Sequence, residues 1–255
     1  MAYLRLRQVC LAARTLEPVV GDIAAIFGLK VCHRDPNVAR YGLENALFPV
    51  GDSFIEIVAP TREGTAAGRF LERQRGQGGY MLILDCDNAE RRRTHAEQMG
   101  IRVANLIRHE DYLGVQLHPR DSGATMIEFN QTRGGESVNG PYHPAGPNWQ
   151  AAVSTDVTLR LAAVDIEAPD PQAFSARWAA LMQRPAVLAQ GRYRIALDGG
   201  TIRFAKAAAP EGQPVFARIE LEVRNRAAVL DAAAARGYPA QDGAIALGGV
   251  KISVS

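Results

Sequence analysis

The sequence predicts an α+β fold built from repeated strand–helix–three-strand (βαβββ) modules, four in all, the last one shortened. Three observations lead there. A strand ending recurs four times: Gly51-Asp52-Ser53-Phe54-Ile55-Glu56-Ile57-Val58, Gly123-Ala124-Thr125-Met126-Ile127-Glu128-Phe129-Asn130, Gly200-Thr201-Ile202-Arg203-Phe204-Ala205 and Gly249-Val250-Lys251-Ile252-Ser253-Val254. The first two copies keep a glutamate, and the last two replace it. The spacing from first strand to last also repeats, with Gln8 to Glu56 and Tyr80 to Glu128 both 48 residues apart, as duplication requires.

The elements follow in order. Leu4 to Ala13 reads as a strand, with Leu4, Leu6, Gln8, Cys10 and Ala12 on one face. Thr15 is placed to cap a helix whose apolar stripe is Val19, Ile23, Ile26 and Phe27, stopped by Gly28. Strands are predicted at Lys30 to His33, Leu43 to Pro49 and Ser53 to Ala59, then a linking segment with a short helix from Gly68 to Arg75. The second module runs from a strand at Tyr80 to Cys86 through a helix capped by Asp87. Its last strands are Arg102 to Leu106, Gly114 to His118 and Thr125 to Asn130. A third module begins at Thr158 and a fourth at Phe216. The domains expected are 1–133, carrying the candidate site, a Gly/Pro-rich linker at 134–155, and a degenerate second domain at 156–255.

Composition excludes several classes. The chain of 255 residues is 47% hydrophobic and 22% charged, with a net charge of +2. It holds enough apolar residues for a core and too little net charge to argue for nucleic acid or an anionic membrane. No apolar run approaches a membrane span of ~20 residues, and the start of the sequence has no secretory pattern. Cys10, Cys32 and Cys86 have no metal spacing and read as reduced core thiols. A cytoplasmic protein is expected.

Gln8, Glu56, Tyr80 and Glu128 each share a strand face with apolar neighbours, so the faces that would line a cavity carry two carboxylates. A buried carboxylate must be paired, hydrogen-bonded, neutralised or metal-bound. The bland alternative is an arginine partner for each on the outer sheet face.

The module pattern resembles the vicinal oxygen chelate superfamily, also called glyoxalase/bleomycin-resistance/dioxygenase, with a local likeness to methylmalonyl-CoA epimerase. The likeness rests on Gly51 to Pro60, on Gly68-Arg69-Phe70-Leu71-Glu72-Arg73, and on Gln116-Leu117-His118-Pro119-Arg120-Asp121-Ser122-Gly123 leading into Ile127-Glu128. The resemblance implies two cupped mixed-sheet glyoxalase-like domains. It also implies a divalent metal (Mg, Mn, Co, Ni or Zn) held by Gln8, Glu56 and Glu128, with Tyr80 standing where a histidine is usual. A neutral phenol is a poor ligand, and oxygen donors suit Mg or Mn better than Zn. Glu128, Glu56 and Tyr80 are the expected catalytic groups. The partners implied are a small-molecule substrate or ligand and a homodimer, with no nucleic acid and no membrane.

His118, His143, Trp149 and Glu44 are the candidate substrate contacts, against bland readings as a strand-end histidine, linker residues and a solvated strand position. Arg91-Arg92-Arg93 reads as a solvated helix face. In the second half, Ala163 and Arg218 stand at the first-strand positions and Arg203 and Ser253 at the last-strand ones, so no metal set survives there. The two-His, one-Glu iron set that the resemblance implies for ring-cleaving dioxygenases is absent. The activity expected is a metal-assisted lyase or isomerase acting next to a carbonyl. The alternatives are a metal-free small-molecule binding protein of the bleomycin-resistance type and a scaffold whose cup is filled by side chains.

Overall fold

The protein is described by a computed structural model covering residues 2–76, 78–208 and 212–255. Among the described residues, fourteen strands and six α-helices follow one another as β1 (Leu4–Ala12), α1 (Val19–Phe27), β2 (Leu43–Val50), β3 (Ser53–Pro60), α2 (Ala66–Arg73), β4 (Met81–Cys86), α3 (Ala89–Gln98), β5 (Val103–Arg108), β6 (Tyr112–Leu117), α4 (Pro119–Ser122), β7 (Met126–Thr132), β8 (Thr158–Ala168), α5 (Pro171–Met182), β9 (Ala186–Ala189), β10 (Arg192–Leu197), β11 (Gly200–Lys206), β12 (Val215–Val223), α6 (Arg226–Ala235), β13 (Ala244–Leu247) and β14 (Val250–Val254). They form two mixed seven-stranded sheets, in the orders β2-β3-β1-β4-β7-β6-β5 and β13-β14-β12-β8-β11-β10-β9.

Each module pairs its first and last strands in parallel, β1 with β3, β4 with β7, β8 with β11 and β12 with β14. The recurring strand ending is a product of hairpin chemistry. Two-residue loops at Gly51-Asp52, Asp198-Gly199 and Gly248-Gly249 join the last two strands of modules one, three and four. Such tight hairpin loops need positive φ, which glycine supplies without strain. In module two the short helix α4 replaces the loop, and His118 Nδ1 accepts the Arg120 N–H at 3.3 Å to start it.

The described residues fall into two compact units, each drawn from both halves of the sequence. One holds residues 2–7, 81–143 and 163–217. Within it α3 meets the end of α5, where the Arg92 guanidinium donates to the Met182 carbonyl at 2.8 Å and the Gln183 side-chain oxygen at 3.1 Å. Arg92 is therefore buried and structural, not part of a solvated face. Trp178, fully buried, donates its indole N–H to the Ser122 carbonyl at 2.8 Å.

The other unit holds 8–80, 144–162 and 218–255. Within it α1 is tied to the end of α6, because Asp22 accepts from Arg236 at 2.8 Å and from the Tyr238 hydroxyl at 2.5 Å. Gly28 ends α1 at φ +65°, with Val157 close against it.

Three local expectations are corrected. Pro18, not Thr15, occupies the N-cap position of α1, and the Thr15 hydroxyl donates to the Glu17 carbonyl at 2.7 Å. Asn88, not Asp87, caps α3, accepting from the Arg91 N–H at 2.8 Å. The strand expected over Lys30 to His33 is reduced to a single bridge, His33 to Leu47. Just beyond it the Asp35 N–H donates to the Asn45 side chain at 2.8 Å.

Candidate functional site

The first sheet's two glutamates lie in different units, and each gathers its own ring of donors. Glu56 projects from β3 and is 8% exposed. Its Oε2 accepts from Gln8 Nε2 at 2.8 Å and its Oε1 from Asn45 Nδ2 at 2.7 Å. Asn45 was missed in the sequence, where Glu44 was the residue singled out on that strand. In the ladder Asn45 faces Val58 and Glu44 faces Ala59, so alternation places Glu44 on the opposite face, where it is exposed. Trp149, 2% exposed, packs edge-on against Phe54 with centroids 5.1 Å apart, on the face that Phe54 shares with Glu56.

Glu128 projects from β7 and is 3% exposed. The Tyr112 hydroxyl donates to its Oε1 at 2.6 Å, Gln116 Nε2 donates to its Oε2 at 2.8 Å, and Asn130 Nδ2 reaches Oε1 at 3.3 Å. Gln116 stands directly opposite Glu128 in the β6–β7 ladder, and its own oxygen accepts from Asn105 at 3.1 Å. The linker closes this group. Tyr142 is buried with its hydroxyl 3.3 Å from Asn130 Nδ2, and His143 stacks on Tyr112 with centroids 4.7 Å apart.

The arginine partners of the bland reading do not arise at Glu128, whose donors are all neutral. Burial pushes the Glu128 carboxyl above the ordinary carboxylate range, against the pull of the phenol and amide donors. Burial and the neighbouring Glu128 also raise the Tyr112 phenol well above its usual value. Burial thus strengthens the hold of Glu128 on a proton, while the donors keep the ionised form within reach.

Gly114 makes this geometry possible. A Cβ there would lie 2.9 Å from the Tyr112 hydroxyl oxygen and 3.0 Å from its ring, so only glycine lets the phenol cross to Glu128.

A second carboxyl in this unit escaped the sequence reading. Asp85 on β4 stands opposite Asn130 in the ladder and pairs with Arg5 at 3.0 Å. Burial pushes its carboxyl up to about 6. Its Oδ1 and the Oδ1 of Asn130 are both buried and have no hydrogen-bond partner among the described residues. Nothing in its apolar strand segment distinguished Asp85 from a strand-end residue.

Tyr80 departs most from expectation. The ladder pairs Gln8 with Phe54, two residues before Glu56, and Met81 with Met126, two residues before Glu128. Met81 therefore holds the register position of Gln8, and Tyr80 is one residue out, a slip that reverses the side-chain face. Its ring packs on Phe70 with centroids 5.1 Å apart, and burial raises its phenol far above the normal value. His118 serves α4. His143 pairs with Asp111 at 3.2 Å as well as stacking on Tyr112.

The residues present do not fit a divalent metal. Gln8 turns an amide N–H, not its oxygen, toward Glu56, and both oxygens of each glutamate accept bonds from neutral donors. Tyr80 is not ionised and Met81 is a poor partner for a hard ion. Among the described residues no three His, Cys, Asp or Glu side chains come together as a ligand set.

A profile of the glyoxalase-like domain matches residues 9–182, well over half of the chain. The chain belongs to this glyoxalase-like family, within the vicinal oxygen chelate superfamily. Two solved structures share the fold over most of this chain. A hypothetical protein from Staphylococcus aureus has a TM-score of 0.68 at 11% identity, covering 99% of this chain and 98% of that one. A triple mutant of 4-hydroxymandelate synthase from Streptomyces coelicolor has a TM-score of 0.69 at 11% identity, covering 93% and 76%. A methylmalonyl-CoA epimerase variant from Streptomyces coelicolor, in complex with 2-nitronate-propionyl-CoA, is 23% identical over 50% of this chain and 94% of that one, with a TM-score of 0.46. No curated protein matches the chain. Among the described residues no helix is long and apolar enough to cross a membrane.

Proposed function

We propose that this glyoxalase-like protein is a lyase or isomerase that moves a proton next to a carbonyl of a small substrate, with Glu128 as the proton-carrying group. The observation that carries the reading is the buried Glu128 carboxyl, surrounded by neutral donors and raised by burial. A carboxyl whose proton affinity lies nearer neutrality is matched to general acid–base work.

In the cycle, ionised Glu128 takes a proton from the carbon beside the carbonyl and returns it to that carbon or a neighbour. The Tyr112 hydroxyl, held against Glu128 by Gly114, and the Gln116 amide stabilise the carboxylate while it waits. The metal-assisted form expected from the sequence gives way to a metal-independent one, because neutral donors already hold both oxygens of each glutamate and Gln8 turns its amide N–H to Glu56.

The test is hydrogen exchange in D2O with a panel of carbonyl-bearing thioesters and 2-oxo and 2-hydroxy acids, read by proton NMR. Exchange of the hydrogen beside the carbonyl should occur with chelator present and should drop at least a hundredfold in Glu128→Gln. Exchange that Glu128→Gln leaves untouched removes the glutamate from the chemistry.

A second reading is a metal-free small-molecule binding protein. The neutral donors that hold both oxygens of Glu128 favour it, since such a ring fixes a polar group in place without chemistry. Saturable binding of a panel member without any exchange would decide for this reading.

A further inference from the structure

The second sheet reverses the charge of the first. In the ladder of module three, Thr201 faces Ala163 and Arg203 faces Asp165, so Arg203 holds the register position that Glu56 holds in module one. One row of this sheet runs through Val187, Arg194, Arg203 and Asp165 on four neighbouring strands. Arg192, two residues before Arg194, shares the face.

The contacts agree with this placement. Arg203 Nε reaches Asp165 Oδ1 at 2.5 Å, and Arg192 reaches Asp165 Oδ2 at 3.2 Å. Two guanidinium groups thus hold one buried carboxylate, Asp165, and a third, Arg194, stands beside Arg203 in the ladder.

This face is open. Val187 is 56% exposed, the Arg192 side chain is 46% exposed, and the other residues around the arginines are small: Ala163, Ala196, Thr201 and Ala205. Arg194 and Arg203 stand directly opposite each other, and like charges in that relation repel. Arg194 donates to the Gln190 side chain at 2.5 Å, but its Nε is buried and has no hydrogen-bond partner. Two facing like charges, one with a buried donor left unpaired, beside small neighbours on an open face are what an oxyanion would offset. The fork of a guanidinium matches the two oxygens of a carboxylate or phosphate group.

We propose that the open face of β8, β11, β10 and β9 binds a small oxyanion, a phosphate or carboxylate group, between Arg194 and Arg203, with Arg192 at its rim. The site lies apart from the Glu128 chemistry in sequence and does not rest on it. Asp165 orients Arg203 and Arg192, so it serves as the hinge of the clamp and not as its ligand.

The test is isothermal titration of the full chain with inorganic phosphate and, separately, with acetate, at fixed ionic strength. Saturable binding of at least one is expected, and the stronger of the two names the group recognised. Arg194→Gln should weaken it about tenfold or more, the loss expected for a charge-assisted hydrogen bond. Arg192→Gln, at the rim and half exposed, should weaken it less. Lys251→Gln, an equal charge change at an exposed position elsewhere, should leave it unchanged. No saturable binding of either anion overturns the proposal. So does binding indifferent to Arg194→Gln, or binding weakened as much by Lys251→Gln.

Discussion

Gly114 shows how a residue without a side chain sets the chemistry of its neighbours. Adding one methyl group puts a carbon 2.9 Å from the Tyr112 oxygen, in a packed region where overfilling costs about 1–3 kcal/mol. Gly114→Ala should lower unfolding free energy by that amount in urea titration. It should also reduce the proposed proton exchange as strongly as Tyr112→Phe does. If the variant loses stability but keeps full exchange, the Tyr112–Glu128 contact has no part in turnover. In the sequence Glu128 was legible because its strand ending recurs, and Glu56 for the same reason. Their donors were not. Asn45, Tyr112 and Asn130 are ordinary strand residues until the ladder register is known, and a slip of one position exchanged Asn45 for Glu44 and Met81 for Tyr80. Equal spacing along the chain does not guarantee equal register, because the segments between strands differ in length and path.

Among the elements, the linker is the one whose role the sequence least revealed. Its glycines and prolines described a loop, but its anchors lie far away in sequence. Arg5 donates to the Gly135 carbonyl at 2.9 Å and also to the Glu136 carbonyl, and Arg7 donates to the Val138 carbonyl at 2.8 Å. The Arg7 guanidinium also lies 5.0 Å from the Tyr142 ring centre. Two residues of β1 therefore hold the segment that delivers Tyr142 to Asn130. Arg5→Ala should raise amide hydrogen exchange across residues 134–142 by about tenfold, the effect of losing roughly 1.5 kcal/mol of hydrogen bonding to a charged group. Unchanged exchange there, measured by mass spectrometry, would show that the segment holds itself. The recurring glycine before each last strand was readable in the sequence; that Gly51, Gly199 and Gly248 take positive φ in tight turns is what the structure adds.

At the scale of the molecule, the carboxyls divide by the direction in which folding moves their proton affinity. Glu128 and Asp85 hold protons more tightly folded than unfolded. Their contribution favours the fold in acid and is lost as pH rises through their folded values, near 6 for Asp85. Asp22 runs the other way. Burial opposes its charge, but Tyr238 and Arg236 overcome this and lower its carboxyl. Its stabilisation is full above the ordinary carboxylate range and is lost as pH falls through the lowered value. Glu128→Gln, which never has to bury a charge, should therefore gain stability relative to the unmodified protein as pH rises from about 5 to about 8. The gain is about 1.4 kcal/mol for every tenfold by which folding tightens the hold of Glu128 on its proton. Urea titrations of the two proteins at a series of pH values would measure it, and parallel curves would contradict the burial-raised carboxyl.

The pairing of modules across the sequence has a temporal consequence. Each compact unit is assembled from three stretches, and each needs residues beyond 160 as well as residues before 10. On a ribosome the first sheet's strands emerge long before the helices that complete either unit. Both units must close late and almost together, after a wait in which the apolar backs of β1, β3 and β4 lack their final neighbours. Contacts of such long sequence separation fold slowly and leave hydrophobic surface open to aggregation in the interval.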